Sequence, residues 1–199
     1  MKRLTLLLLF VGATCLEVEA QSWLQMLQNL FGGSSKSEEV ATPKFITASQ
    51  LQGEWFFSTS EIEYEGDDAL ASMGVSALKG RASDLLGRVG VVAGRDKIVI
   101  RSGNRATLQI GEHRSEGNYT YDAKTGKLAF SGELAGKNYT LEGSTEYQEG
   151  KLKLLFNAHK VMAILKDVEP TLTEHEYVKI ADQLFTSYPG IQVGATFQK

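Results

Sequence analysis

The chain has a single cysteine in 199 residues, and it sits at position 15, inside an apolar leader. Cleavage beyond it leaves no disulfide, no thiol nucleophile and no thiolate metal ligand, so the folded part must hold itself together through its core alone. Histidine is nearly as scarce. His113, His159 and His175 do not pair with one another at ligand spacing, so a metal site is not expected. Neither a Gly-x-Ser-x-Gly turn nor a phosphate-binding glycine loop occurs. The formal net charge is -3, so there is no basic footprint for nucleic acid. These gaps leave no catalytic residue, cofactor or metal ligand to nominate.

What is present begins with Lys2 and Arg3, followed by the apolar run Leu4 to Leu16 and the small-residue site Val18-Glu19-Ala20. Residues 1–20 thus read as a signal peptide, with the mature chain starting at Gln21 and the protein periplasmic or secreted. The run is too short to span a bilayer, which needs ~20 apolar residues, and no transmembrane segment is expected in the mature chain. A rival is lipid attachment at Cys15, which the preceding Thr14 fits poorly.

Residues 21–44 read as a short amphipathic helix and a flexible linker. Trp23, Leu27, Leu30 and Phe31 share one helical face after Ser22, Gly32-Gly33 stops the helix, and 32–44 is small, polar and charged. The folded domain is expected over 45–199. Thr47-Ala48-Ser49-Gln50 has capping-box form and leads into the β-prone stretch from Gly53 to Ser60. From Asp67 to Gly90 the apolar period lengthens to three and four, giving two short helices or one bent at Gly74 or Gly80. From Asp96 onward apolar residues alternate, with hairpin-length turns between: Ile98 and Ile100, Ala106 to Ile110, Tyr119 and Tyr121, Leu128 and Phe130, Tyr139 and Leu141, Leu152 to Phe156. Helical period returns over Lys160 to Asp167, and again after the capping box Thr173 to Glu176. Ile191, Val193, Ala195 and Phe197 alternate in a last strand. The fold class is therefore mainly β with α insertions. About eight antiparallel strands make an up-and-down barrel, with a helical insert after strand 1 and helices before the last strand. Closure removes the exposed edges of a long meander.

The capped turn before Gly53-x-Trp55, the apolar insert, the Tyr-rich hairpins, Asn157-Ala158-His159-Lys160 and Tyr188-Pro189-Gly190 together resemble an uncharacterised lipocalin-like family. Its members are secreted proteins of Gram-negative anaerobes, carrying a domain of unknown function. The resemblance spans about residues 45 to 199 and implies that Trp55 plugs one barrel end.

Function follows less directly. The expectation is an exported, non-catalytic binding module holding a small apolar or amphipathic ligand, or docking an envelope protein. Trp55, Phe57, Leu70, Met73, Leu78, Leu85 and Leu86 are the residues nominated for a barrel mouth and its lid. The alternatives are an enzyme on the same scaffold, acting on an envelope or dietary molecule, and a structural envelope protein with a filled core. The insert itself is either a lid over an open mouth or a helix packed permanently over that core. A carrier requires a connected apolar cavity of ~300 Å³ or more, whereas an enzyme requires convergent polar groups. Glu61, Glu63 and Glu65 alternate on one strand face, as a solvated strand end or a cation site. Arg81, Arg88 and Arg95 form a solvated helix face or meet a ligand carboxylate. Asn118-Tyr119-Thr120 and Asn138-Tyr139-Thr140 match a glycosylation pattern and are read as strand residues.

Overall fold

The computed structural model of the chain describes residues 45–88, 91–110, 113–134, 136–168, 170 and 176–199. The leader, the segment 21–44 and the capping box at 173–175 lie outside the described residues.

Eight antiparallel strands close into a barrel in chain order. They are β1 (Gly53–Tyr64), β2 (Lys97–Arg101), β3 (Arg105–Ile110), β4 (His113–Asp122), β5 (Lys127–Leu134), β6 (Lys137–Gln148), β7 (Lys151–Asn157) and β8 (Ile191–Gln198). β8 lies between β7 and β1, pairing Ala195 with Leu154 on one side and with Ser60 on the other. The up-and-down barrel expected from the turn spacing is thus the observed one. Successive strand residues point to opposite faces, and the alternating apolar residues read from the sequence are the ones that face inward. Ile98, Ile100, Ala106, Tyr119, Leu128, Leu152, Leu154, Ala195 and Phe197 belong to one core cluster.

Four helices lie among the described residues: α1 (Ala48–Leu51), α2 (Ala69–Arg88), α3 (Ala158–Val168) and α4 (Glu176–Ser187). None is long and apolar enough to cross a membrane. Each end of the barrel is built by helices. At one end Thr47 and Gln50 form the expected capping box on α1, and Ile46 and Leu51 pack on Trp55 in the same cluster. At the other end Val75 of α2, Val161 and Met162 of α3, and Val178, Ala181 and Phe185 of α4 form a second cluster over Ile191 and Val193.

The insert is one continuous helix rather than two short ones. Asp68 caps it, its carboxylate accepting from the Leu70 and Ala71 amides at 2.8 and 3.0 Å. Gly74 does not break it because α4 passes there: a Cβ at this position would lie 3.0 Å from a Leu184 methyl. The glycine serves close helix packing, which offsets its poor helix propensity of about 1 kcal/mol.

Strand β1 is longer than the aromatic stretch alone indicates and carries a bulge between Phe57 and Thr59. The bulge moves the inward alternation from Trp55 and Phe57 to Ser60, Ile62 and Tyr64. Glu61 and Glu63 therefore face outward, but the strand end is not simply solvated. Glu61 is 9% exposed, accepts from the Thr196 hydroxyl at 2.8 Å and pairs with Lys79 of α2 at 3.0 Å. Glu63 pairs with Lys153 at 2.8 Å. The cations these carboxylates meet in the structure are lysines. Arg95 likewise meets a carboxylate of its own chain, Asp96, at 2.7 Å.

Candidate functional site

The barrel wall divides on one side. β4 and β5 pair from Asp122↔Lys127 as far as Asn118↔Ser131. Beyond that, β4 continues to His113 bonded to β3, and β5 continues to Leu134 bonded to β6. The two strands separate at a pair of inward-facing glycines. A Cβ on Gly117 would lie 2.7 Å from the Ser131 carbonyl oxygen, while one on Gly132 would meet only ordinary contacts at 3.6 Å and beyond.

Behind the split lies a cavity of about 190 Å³ inside the barrel. Its wall is almost wholly apolar, formed by inward residues such as Leu108, Phe130, Leu141, Leu154 and Phe156, with Val161 and Ile164 of α3 above them. In front of the split lies an outer basin of about 380 Å³. Outward side chains line it: Arg105, Asn118, Ser131, Glu133, Asn138 and Thr140, beside Glu116. Glu116 through Asn118 and Ser131 through Glu133 border both spaces. The apolar chamber and the polar basin thus lie on the two sides of the same short stretches of β4 and β5.

The inner chamber alone is smaller than the volume a drug-sized ligand takes. It exceeds the ~150 Å³ of an engineered apolar cavity that stays dry and binds benzene.

Charges at the rim are partly neutralised. Glu116 pairs with Arg114 at 2.7 Å and with Arg105 at 3.5 Å. On the α3 side, Asp167 pairs with Lys137 at 2.5 Å and accepts a hydrogen bond from the Tyr139 hydroxyl. Lys137 first, and Tyr139 with it, hold the Asp167 carboxyl below its ordinary range. The same bonds raise Lys137 and Tyr139 above theirs. This cluster ties the C-terminal turn of α3 to β6 beside the opening. Asn157 fixes the helix's other end: its side-chain oxygen accepts from the Lys160 amide at 3.0 Å, and its amide donates to the Pro189 carbonyl at 2.9 Å.

The residues nominated from sequence lie elsewhere. Trp55 is 1% exposed at the α1 end. Its indole N–H donates to the Leu51 carbonyl at 2.7 Å, with the Lys199 ammonium 4.5 Å from the ring centroid. Phe57 packs edge-on to Phe197. In α2, Leu70 is 63% exposed, Met73 is half-buried, and Leu78 packs at the helical end. The side chains of Leu85 and Leu86, like those of Arg81, Arg88, His113 and His175, lie outside the described residues. None of the five nominees whose side chains are described borders the chamber; among the described residues, Val161 and Ile164 of α3 supply its helical wall. His159 is exposed and stands 3.4 Å from the Thr186 hydroxyl.

Gly117 and Gly132 were not among the nominated residues. Their signal in the sequence is a glycine interrupting the inward series of two consecutive strands, 117-119-121 and 128-130-132. Strand glycine marks a bulge or a close backbone approach, but the cross-strand register that sets these two side by side is visible only in three dimensions. The Asn-Tyr-Thr pairs are strand residues, as read, and Asn118, Asn138 and Thr140 turn outward into the basin.

Among curated proteins and among solved structures, no match to this chain is found. The closed eight-stranded barrel, with one end plugged by Trp55 and helices over the other, agrees with the comparison against protein families: the lipocalin-like domain (DUF4923) matches over residues 27–199, and the chain belongs to that family.

Proposed function

We propose that the protein is an exported, non-catalytic binding module that holds a small apolar group inside the barrel. The observation that carries this reading is the apolar chamber of about 190 Å³ behind the β4–β5 split. A well-packed barrel of this size has few voids larger than a water molecule, so a space this large calls for an occupant. Scaled from the benzene-sized cavity, it accommodates roughly eight carbon atoms. Burying an octyl chain at about 0.8 kcal/mol per CH₂ provides on the order of 6 kcal/mol before ordering costs. After those costs this corresponds to a Kd between ~40 µM and ~1 mM.

The test is thermal denaturation of the protein with 1-octanol. At tenfold Kd the melting temperature should rise by about 3–5 °C, and it should go on rising with the logarithm of octanol concentration. Ala195→Leu, which extends a chamber-wall side chain into the space, should fold and lose the response. A parent protein that melts identically with and without octanol contradicts the proposal.

Export rests on the N-terminal pattern of Lys2-Arg3, an apolar run and Val18-Glu19-Ala20. Protein recovered from its own cells should begin at Gln21; a lipid-modified Cys15 would contradict this and place the barrel on a membrane.

A further inference from the structure

We propose that the β4–β5 split is the ligand entrance and that the ligand is a single-tailed amphiphile with an uncharged, hydroxyl-rich head, its tail in the chamber and its head in the basin. This deepens the binding-module reading and rests on it. Both barrel ends are closed by packed clusters among the described residues, Trp55 with Ile46 and Leu51 at one and α3 with α4 at the other. The split, by contrast, borders the chamber and the basin alike.

The basin sets the head chemistry. Asn118, Ser131, Asn138 and Thr140 contribute amides and hydroxyls that donate and accept, and Glu133 adds a carboxylate with no ion pair among the described residues. Glu116 is shared between Arg114 at 2.7 Å and Arg105 at 3.5 Å. With Glu133, these two arginines and two carboxylates cancel, so the basin offers no net charge to a carboxylate or ammonium head. Four neutral hydrogen-bonding groups around one acceptor suit a ring of hydroxyls better than a point cation. About 380 Å³ is room for a sugar-sized head, as the chamber is room for about eight carbons.

The experiment is calorimetric titration of the full chain with octyl β-glucoside below its micellar concentration, alongside 1-octanol, octanoate and octylamine. Octyl glucoside should bind about tenfold more tightly than octanol. Asn138→Ala combined with Thr140→Ala, both in the basin and outside the chamber wall, should bring its affinity down to that of octanol and leave octanol unchanged within about twofold. Gly132→Val, which places a branched side chain in the split, should weaken or slow both. Gly132→Ala, whose Cβ meets only ordinary contacts, should fold like the parent and show the same effect to a smaller degree. Octanol bound without a glucoside advantage, tighter octanoate or octylamine, or association indifferent to both Gly132 variants overturns this inference while the chamber reading stands. If no octyl compound binds the parent, the chamber reading fails and this inference with it.

Discussion

Trp55 shows how one residue closes a barrel end. Its ring is buried, its N–H is satisfied by the Leu51 carbonyl, and Lys199 covers it while donating to the Gln50 and Gln52 carbonyls at 2.8 and 3.0 Å. Truncation removes the ring and orphans the carbonyl. Trp55→Ala should therefore lower the unfolding free energy in urea by about 3–5 kcal/mol, and a variant as stable as the parent would show that the plug is dispensable. This residue was legible in the sequence because a Gly-x-Trp after a capped turn is a local pattern. Glu61 was legible only as an outward carboxylate. Its burial depends on Lys79, eighteen positions on, and Thr196, 135 positions on, and no local period reports such partners.

At the scale of elements, among the described residues it is α3, for which the sequence suggested no role, that lines the chamber. The apolar period from Asp67 to Gly90 correctly marked a helix, yet a period does not say which neighbour a helix meets. Gly74 against Leu184 shows that α2 meets α4. Gly74→Val should cost about 1–3 kcal/mol by overpacking that contact, measured by chemical denaturation, whereas a helix free to lift from its neighbour would tolerate the change. The cover of the chamber is α3, pinned beside the opening by Asp167 with Lys137 and Tyr139. A carboxyl held below its ordinary range contributes stability that is fully present above the unfolded-state value and lost as pH falls through the depressed folded value. Hydrogen exchange in the last turn of α3 should thus be unchanged between pH 7 and 5, after correction for intrinsic rates, and should accelerate only below the ordinary carboxylate range. Acceleration already near neutrality would place the pin elsewhere.

For the whole molecule, strand count, antiparallel order and the inward-facing set could be read from alternation and turn spacing because each is a short-range property. The chamber and basin could not, because they lie where two ladders diverge: β4 and β5 each extend beyond their common register, and two glycines stand where they part. In consequence the polar basin and apolar chamber assemble from residues that look like ordinary strand positions one at a time. Whether this inner chamber takes an apolar occupant is decided by methyl-resolved NMR during an octanol titration. Occupancy should give saturable shifts confined to chamber-wall methyls such as those of Leu141, Leu154, Val161 and Val193, with the exposed Leu70 and Val92 unmoved. Shifts confined to Leu70 and Val92, or none at all, would contradict it.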